Sequence, residues 1–149
     1  SFRYRFDRFH FDNGVVVNVH TLLFGGNYQY SPRLNLSGLI GPRFTSSDTT
    51  DTAVSAGLRY EIDHGEVTLN YDRQQTTVLG VGAAVNSDGL AATLLLMTAP
   101  DVELRAMPSY AVSTNAGLRA EVYRFLLEAG WQASRYLTVV GSYEFNAQH

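Results

Sequence analysis

The sequence predicts an all-β fold, an antiparallel up-and-down transmembrane β-barrel of about 8–10 strands or part of a larger barrel, with residues 1–149 forming one domain. Three observations predict it. Hydrophobicity alternates with a period of two nearly from end to end, the connections alternate short and long, and aromatic side chains gather toward both ends of the strands.

Taken in order, Phe2, Tyr4 and Phe6 share one parity, with Arg3, Arg5 and Asp7 opposite. Phe9 and Phe11 fall on the other parity, so a bulge is expected near Asp7-Arg8. Asn13-Gly14 is a tight-hairpin signal. From Val15 to Leu23 the odd positions are apolar with Asn18 and His20 opposite, and Gly25-Gly26 permits a kink before Tyr28 and Tyr30. Beyond residue 33 the alternation is cleaner. Leu34, Leu36, Ile40 and Phe44 face away from Asn35, Ser37, Arg43 and Thr45. Val54, Leu58 and Tyr60 oppose Ser55, Arg59 and Glu61, and Val67, Leu69 and Tyr71 oppose Thr68, Asn70 and Asp72. Val102, Leu104 and Tyr110 oppose Glu103 and Arg105. Tyr123, Phe125, Leu127 and Trp131 oppose Arg124, Leu126 and Glu128, and Val139, Tyr143 and Phe145 oppose Thr138, Glu144 and Asn146.

Short turn signals fall at Ser31-Pro32-Arg33, Asp63-His64-Gly65, Ala99-Pro100-Asp101 and Ala133-Ser134-Arg135, 32, 36 and 34 residues apart, which is one long hairpin per period. Between them lie polar stretches, Ser46 to Thr52, Thr76 to Gly89 and Thr114 to Arg119, expected to be long loops. Strands of about 10–14 residues result, near the length of a tilted bilayer-crossing strand and well above the five or six usual in sandwiches. Pro42-Arg43-Phe44 and Pro108-Ser109-Tyr110 repeat a Pro-x-aromatic pattern. Proline donates no ladder hydrogen bond, so a rim or bulge is expected at both.

The aromatics divide into two groups. Tyr28, Tyr30, Tyr60, Trp131 and Tyr136 lie near short turns, and Phe44, Tyr71, Tyr110, Tyr123, Tyr143 and Phe145 lie toward the opposite strand ends. Leu, Val, Ala and Gly fill the space between, the gradient expected of an interface, a hydrocarbon layer and a second interface. If that face meets lipid, the lumen is lined by Arg43, Arg59, Glu61, Asn70, Asp72, Glu103, Arg105, Arg124, Glu128 and Glu144. The alternative, a soluble or surface-exposed lipocalin-like barrel binding an apolar ligand, has the same alternation with the faces exchanged.

Composition narrows the function classes. Hydrophobic residues make up 45% and charged residues 17%, too apolar for a disordered chain. A net charge of −3 argues against a nucleic-acid partner. All 11 basic residues are arginine, and the absence of cysteine removes disulfides, zinc–thiolate sites and thiol nucleophiles. No run of about 18 apolar residues suits a transmembrane helix. No signal peptide is visible at Ser1, as expected of a mature chain or a fragment.

A search for catalysis finds little. His64 falls in a turn and His149 is terminal, while His10 and His20 are expected to face each other across the Asn13-Gly14 hairpin as polar lumen side chains, with Asp7 or Asp12 near. No Gly-x-Ser-x-Gly elbow, phosphate loop or His-Glu-x-x-His occurs. Asp48, Asp51 and Asp88 lack the ligand spacing of a calcium loop. No enzyme activity, cofactor or metal is expected.

Tyr28-Gln29-Tyr30-Ser31-Pro32-Arg33-Leu34-Asn35-Leu36, echoed by Trp131-Gln132-Ala133-Ser134-Arg135-Tyr136-Leu137-Thr138-Val139, resembles the recurrent periplasmic hairpin of Gram-negative outer-membrane barrels. In style, Tyr28 to Phe145 is similar to the β-barrel porins associated with exopolysaccharide export. The resemblance implies an outer-membrane location, a pore or a membrane anchor or scaffold role without catalysis, and as partners the lipid bilayer with its lipopolysaccharide and other outer-membrane or periplasmic subunits. Two features depart from it. Phe145 is followed by four further residues, and the strand count is nine, whereas single-chain bacterial barrels have an even number. Either one strand is miscounted in the first 30 residues or the chain is part of a longer barrel.

Overall fold

The structure, a computed structural model, describes residues 1–10, 14, 16–46, 50–77, 84–115 and 118–149. Among the described residues nine strands follow one another: β1 (Phe2–His10), β2 (Val16–Ser31), β3 (Leu34–Thr45), β4 (Thr50–Ile62), β5 (Gly65–Thr77), β6 (Ala84–Ala99), β7 (Val102–Asn115), β8 (Leu118–Ser134) and β9 (Leu137–Gln148). They form one antiparallel sheet in the order β1 to β9, each strand hydrogen-bonded to its sequence neighbours. The expected up-and-down meander is therefore present with nine strands. The sheet is not closed, and β1 and β9 are its two edges.

The four short turns fall where turn chemistry puts them. Pro32-Arg33, Asp63-His64, Pro100-Asp101 and Arg135-Tyr136 are each the only two residues between consecutive strands. At the first, the Ser31 hydroxyl accepts hydrogen bonds from the Arg33 and Leu34 amides at 3.3 and 3.1 Å, and at the last the Ser134 hydroxyl accepts from Tyr136 at 3.3 Å. A serine before a turn supplies such an acceptor locally, which is why the two similar phrases fold alike. Three of the hairpins carry a register shift just before the turn, at Gln29/Ser31, Met97/Ala99 and Gln132/Ser134. Turn carbonyls also fasten sideways, Arg33, His64 and Asp101 accepting from the Glu61, Met97 and Gln132 amides.

At the other end of the sheet the strands run further than expected. β4 begins at Thr50, β6 at Ala84 and β8 at Leu118, so the intervening connections are residues 46–49, 78–83 and 116–117. The presumed loops are largely paired strand, as with Ser87↔Ser113 and Asn86↔Thr114. Polar Ser, Thr and Asn keep the ladder intact, since backbone pairing does not require apolar side chains beyond the band that must be hidden from water. Asn13, Asp12, Phe11, Val15 and Asp48 lie outside the described residues. Gly14 has φ +78°, the left-handed backbone a tight hairpin asks of glycine.

Two local expectations fail. β1 pairs with β2 without interruption from Phe2↔Phe24 to His10↔Val16, so there is no bulge at Asp7-Arg8. Phe9 instead shares the face of Asp7, opposite Val17. Pro42 and Pro108 lie within β3 and β7, not at a rim or bulge, and the ladder is interrupted beside each: β2–β3 pairing resumes from Thr21↔Arg43 only at Phe24↔Ile40, and β6–β7 pairing breaks between Ala91↔Ser109 and Leu94↔Ala106. Gly25 does not break β2, but its conformation matters: a Cβ there would collide with the Gly38 carbonyl, and one at Gly41 with the Leu22 carbonyl. The absent side chains let β2 and β3 approach closely.

Little of the apolar surface is enclosed. The only buried hydrophobic residues among those described are Val19, Leu23 and Ala53. The accessible surface is 10199 Å² for a 16.5 kDa chain, against about 7,500 Å² for a compact soluble monomer of that mass. A single sheet hides neither of its faces.

Candidate functional site

The ladder sorts every candidate by face. Arg43, Asp51 and Ala53 share a face with Arg59 and Glu61 by parity, and pairing carries that face through Asp72 and Asn70 to Ala91, Ser109 and Arg124. All ten residues expected on the polar side, Arg43, Arg59, Glu61, Asn70, Asp72, Glu103, Arg105, Arg124, Glu128 and Glu144, fall on this one face. Opposite charges meet across neighbouring strands: Arg59–Glu66 at 2.6 Å, Arg105–Glu128 at 3.6 Å and Arg124–Glu144 at 2.9 Å. Arg105 also holds Glu103 at 2.8 Å within its own strand. These pairs run along the sheet, between adjacent strands or within one strand.

Arg43 differs from the rest. It is 2% exposed, the largest fully buried side chain together with Val19. Its Nη2 donates to Asp51 Oδ2 at 2.7 Å and to Asn86 Oδ1 at 2.9 Å, the latter three strands away on β6. The fold explains the reach. β4 and β5 stop pairing at Val54↔Arg73, and the free end of the β5–β6 hairpin brings Arg73 within 3.6 Å of Asp51 and Asn86 onto Arg43. Arg73 also lies 3.9 Å from Asp88, which accepts a hydrogen bond from the Tyr71 hydroxyl at 2.7 Å. Asp51 and Asp88, considered above as calcium ligands, are thus engaged by guanidinium groups.

The opposite face carries the aromatics. Tyr28, Tyr30, Tyr60, Trp131, Phe44, Tyr71, Tyr110, Tyr123, Tyr143 and Phe145 all share the apolar parity, and Tyr136 occupies a turn. Tyr71, Leu90, Tyr110 and Tyr123 form one row across β5–β8. Their hydroxyls reach carboxylates one step farther from the short turns: Tyr71 to Asp88, and Tyr110 and Tyr123 to Glu121 at 3.1 and 3.0 Å. Rings toward the apolar band and hydroxyls toward charge is the arrangement an apolar–polar boundary favours. On β8, Tyr123 and Trp131 are about 26 Å apart along the strand, about 20 Å in height at a 40° tilt, near the roughly 25 Å apolar band of outer-membrane barrels.

The histidine expectation is corrected. His10 pairs with Val16 and His20 with Phe6, so the two do not face each other and lie about 13 Å apart along the ladder. His20 is on the aromatic face, not the polar one: its Nδ1 is 2.7 Å from the Tyr4 hydroxyl and its ring lies 4.9 Å from Phe6. Odd positions of β2 turn the other way, where Val19 and Leu23 pack beside Arg43. The register with β1 decides this, because Phe2, Tyr4 and Phe6 claim the same side as the even residues of β2.

No family model, curated protein or solved structure matches this chain. Function has to be argued from the two faces themselves. The residues that sequence reasoning missed are Asp51 and Asn86, which hydrogen-bond Arg43, Thr21, its register neighbour, and Arg73, which reaches Asp51. No motif signals them, since they come from four strands, β2, β4, β5 and β6, and sequence spacing does not record the contact between Arg43 and Asn86.

Proposed function

We propose that this chain is wall material of a bacterial outer-membrane β-barrel, a non-catalytic pore whose polar face lines the passage and whose aromatic face meets lipid. The observation that carries this reading is the inversion of burial. The best enclosed large side chain is an arginine, while Phe2, Phe24, Tyr28, Tyr30, Phe44, Leu127, Trp131 and Phe145 are left exposed on one continuous face. In water so large an apolar area favours aggregation, and in a bilayer it is the required outer coat. A lipocalin-like cavity needs that face turned inward, whereas the buried side chains among the described residues, Val19, Thr21, Leu23, Arg43 and Ala53, all lie on the opposite, polar face, which favours the polar face as the inner one. The ion pairs support a pore over a plugged anchor, because they run along the wall between neighbouring strands. Closure calls for more than a simple β1–β9 seam: both edges run in the same direction, so joining them makes a parallel pair, and antiparallel closure needs an added strand.

The test is biochemical. The purified chain is expected to require detergent for monodispersity, to show a gel mobility that shifts on heating, and to give ion conductance in planar bilayers. A monodisperse monomer in high yield without detergent would overturn the membrane reading, and heat-modifiable protein without conductance would overturn the pore.

A further inference from the structure

We propose that the cleft beside Arg43 on the polar face is a binding site for a small oxyanion, namely inorganic phosphate or the terminal phosphoryl group of a phosphomonoester. A cavity of about 100 Å³ opens there, its charged lining being four arginines, Arg3, Arg5, Arg43 and Arg73, against two carboxylates, Asp7 and Asp72, with Thr21 between Arg5 and Arg43. Ligand pockets for whole organic molecules are typically 300–1,000 Å³, so about 100 Å³ suits one small ion or a single terminal group.

The chemistry of the floor indicates the sign of the charge. A guanidinium has five N–H donors, and Arg43 spends Nη2 on Asp51 and Asn86. Its Nε and Nη1 have no hydrogen-bond partner among the described residues although the side chain is almost fully enclosed. Buried donors left unpaired are costly; both atoms are closed to solvent as the side chain stands, so an anion in the cleft satisfies them through a small rotation of the guanidinium toward it. Arg5, Thr21 and Arg43 stand in one row across three strands, so a second guanidinium flanks the Thr21 side of the cleft. Arg5 is held by Asp7 at 2.8 Å, whereas Arg3 has no carboxylate within ion-pair distance among the described residues. Donors converging from separate strands suit the several oxygens of a phosphoryl group better than the two coplanar oxygens of a carboxylate. Asp72 faces the same cleft and opposes an anion, which makes it a control. Arg73 pairs with Val54 and so starts from the aromatic side of β5, its guanidinium reaching round to Asp51, while Arg3, Arg5, Thr21, Arg43 and Asp72 belong to the polar face; binding there does not depend on what covers the aromatic one.

Titration of the full chain, in whatever detergent or buffer keeps it monodisperse, with inorganic phosphate at constant ionic strength tests this by calorimetry and ³¹P line broadening. Saturable binding is expected, weakened about tenfold or more in Arg3→Gln and in Arg43→Lys, which keeps the charge opposite Asp51 but loses the unpaired donors. Asp72→Asn should bind severalfold tighter. Circular dichroism of each variant guards against misfolding, and Arg3→Gln and Asp72→Asn alter partly exposed positions, so one of them suffices if Arg43→Lys fails to fold. Absence of saturation, or phosphate affinity unchanged in both Arg3→Gln and Asp72→Asn, overturns the site. Acetate binding as tightly as phosphate overturns the phosphoryl assignment, and choline binding in place of anions overturns the sign of the charge.

Discussion

Replacing Leu127 with arginine separates a lipid-facing wall from a water-exposed sheet. Leu127 lies on the aromatic face of β8, between Ala106 of β7 and Tyr143 of β9, four residues from both Tyr123 and Trp131. If those aromatics mark the two interfaces, Leu127 is about 10 Å in height from each, at the midplane of the apolar band. Arginine at the midplane of an outer-membrane barrel costs roughly 2–4 kcal/mol, and near an interface about 0–1 kcal/mol. Leu127→Arg should therefore lower the folding equilibrium in vesicles by a factor between about 30 and 1,000, and Tyr123→Arg by far less from membrane transfer alone. In water the expectation reverses: Leu127 is 41% exposed, and substitutions at such sites usually stay within about 0.5 kcal/mol. Leu126→Arg, on the polar face opposite Glu144, is the internal control and should stay within about 1 kcal/mol. Urea titrations of chain refolded into phospholipid vesicles, read by Trp131 fluorescence, measure all three. Near-neutral Leu127→Arg, or equal penalties at 126 and 127, would refute the reasoning.

Other consequences are local. Gly41→Ala should destabilise by about 1–3 kcal/mol or more, because the new Cβ meets the Leu22 carbonyl, whereas Gly38→Ala meets nothing within 4 Å and should be neutral to slightly stabilising; denaturant midpoints of the two variants check this. Ser31→Ala should cost about 1 kcal/mol by leaving the Arg33 and Leu34 amides without their turn acceptor, visible as faster hydrogen exchange at Leu34. Arg43→Met should destabilise by roughly 3 kcal/mol, the lower end for breaking a buried pair, since Asp51 keeps Arg73 nearby.

How far the sequence foretells this molecule depends on how local each feature is. The two-residue turns at Pro32-Arg33 and Arg135-Tyr136 were legible because Ser31 and Ser134 act on amides two or three residues away. The two faces were legible because a strand's parity is fixed once a run such as Leu34 to Phe44 is seen. Parity failed in the first hairpin, where Phe6 and Val19 both read as apolar and only the register between β1 and β2 assigns them to opposite sides. Strand ends failed where Asn86-Ser87-Asp88-Gly89 has the composition of a loop yet pairs with Ala111 to Thr114. Arg43 could be placed on the polar face from its neighbours, but its burial depends on Asn86 and Arg73, 43 and 30 residues away, and no local pattern records that contact.

The central claim is that the aromatic face meets lipid, and adjacent labels on β8 test it most directly. A nitroxide or photo-crosslinker at Leu127 projects from the face of Trp131, and one at Glu128 projects from the face of Arg105. In native-like vesicles the label at 127 should report acyl chains, by quenching with lipid-borne probes or by crosslinking to phospholipid, while the label at 128 reports water. A label at 127 that sees only protein or water, or two labels that cannot be told apart, would contradict the account.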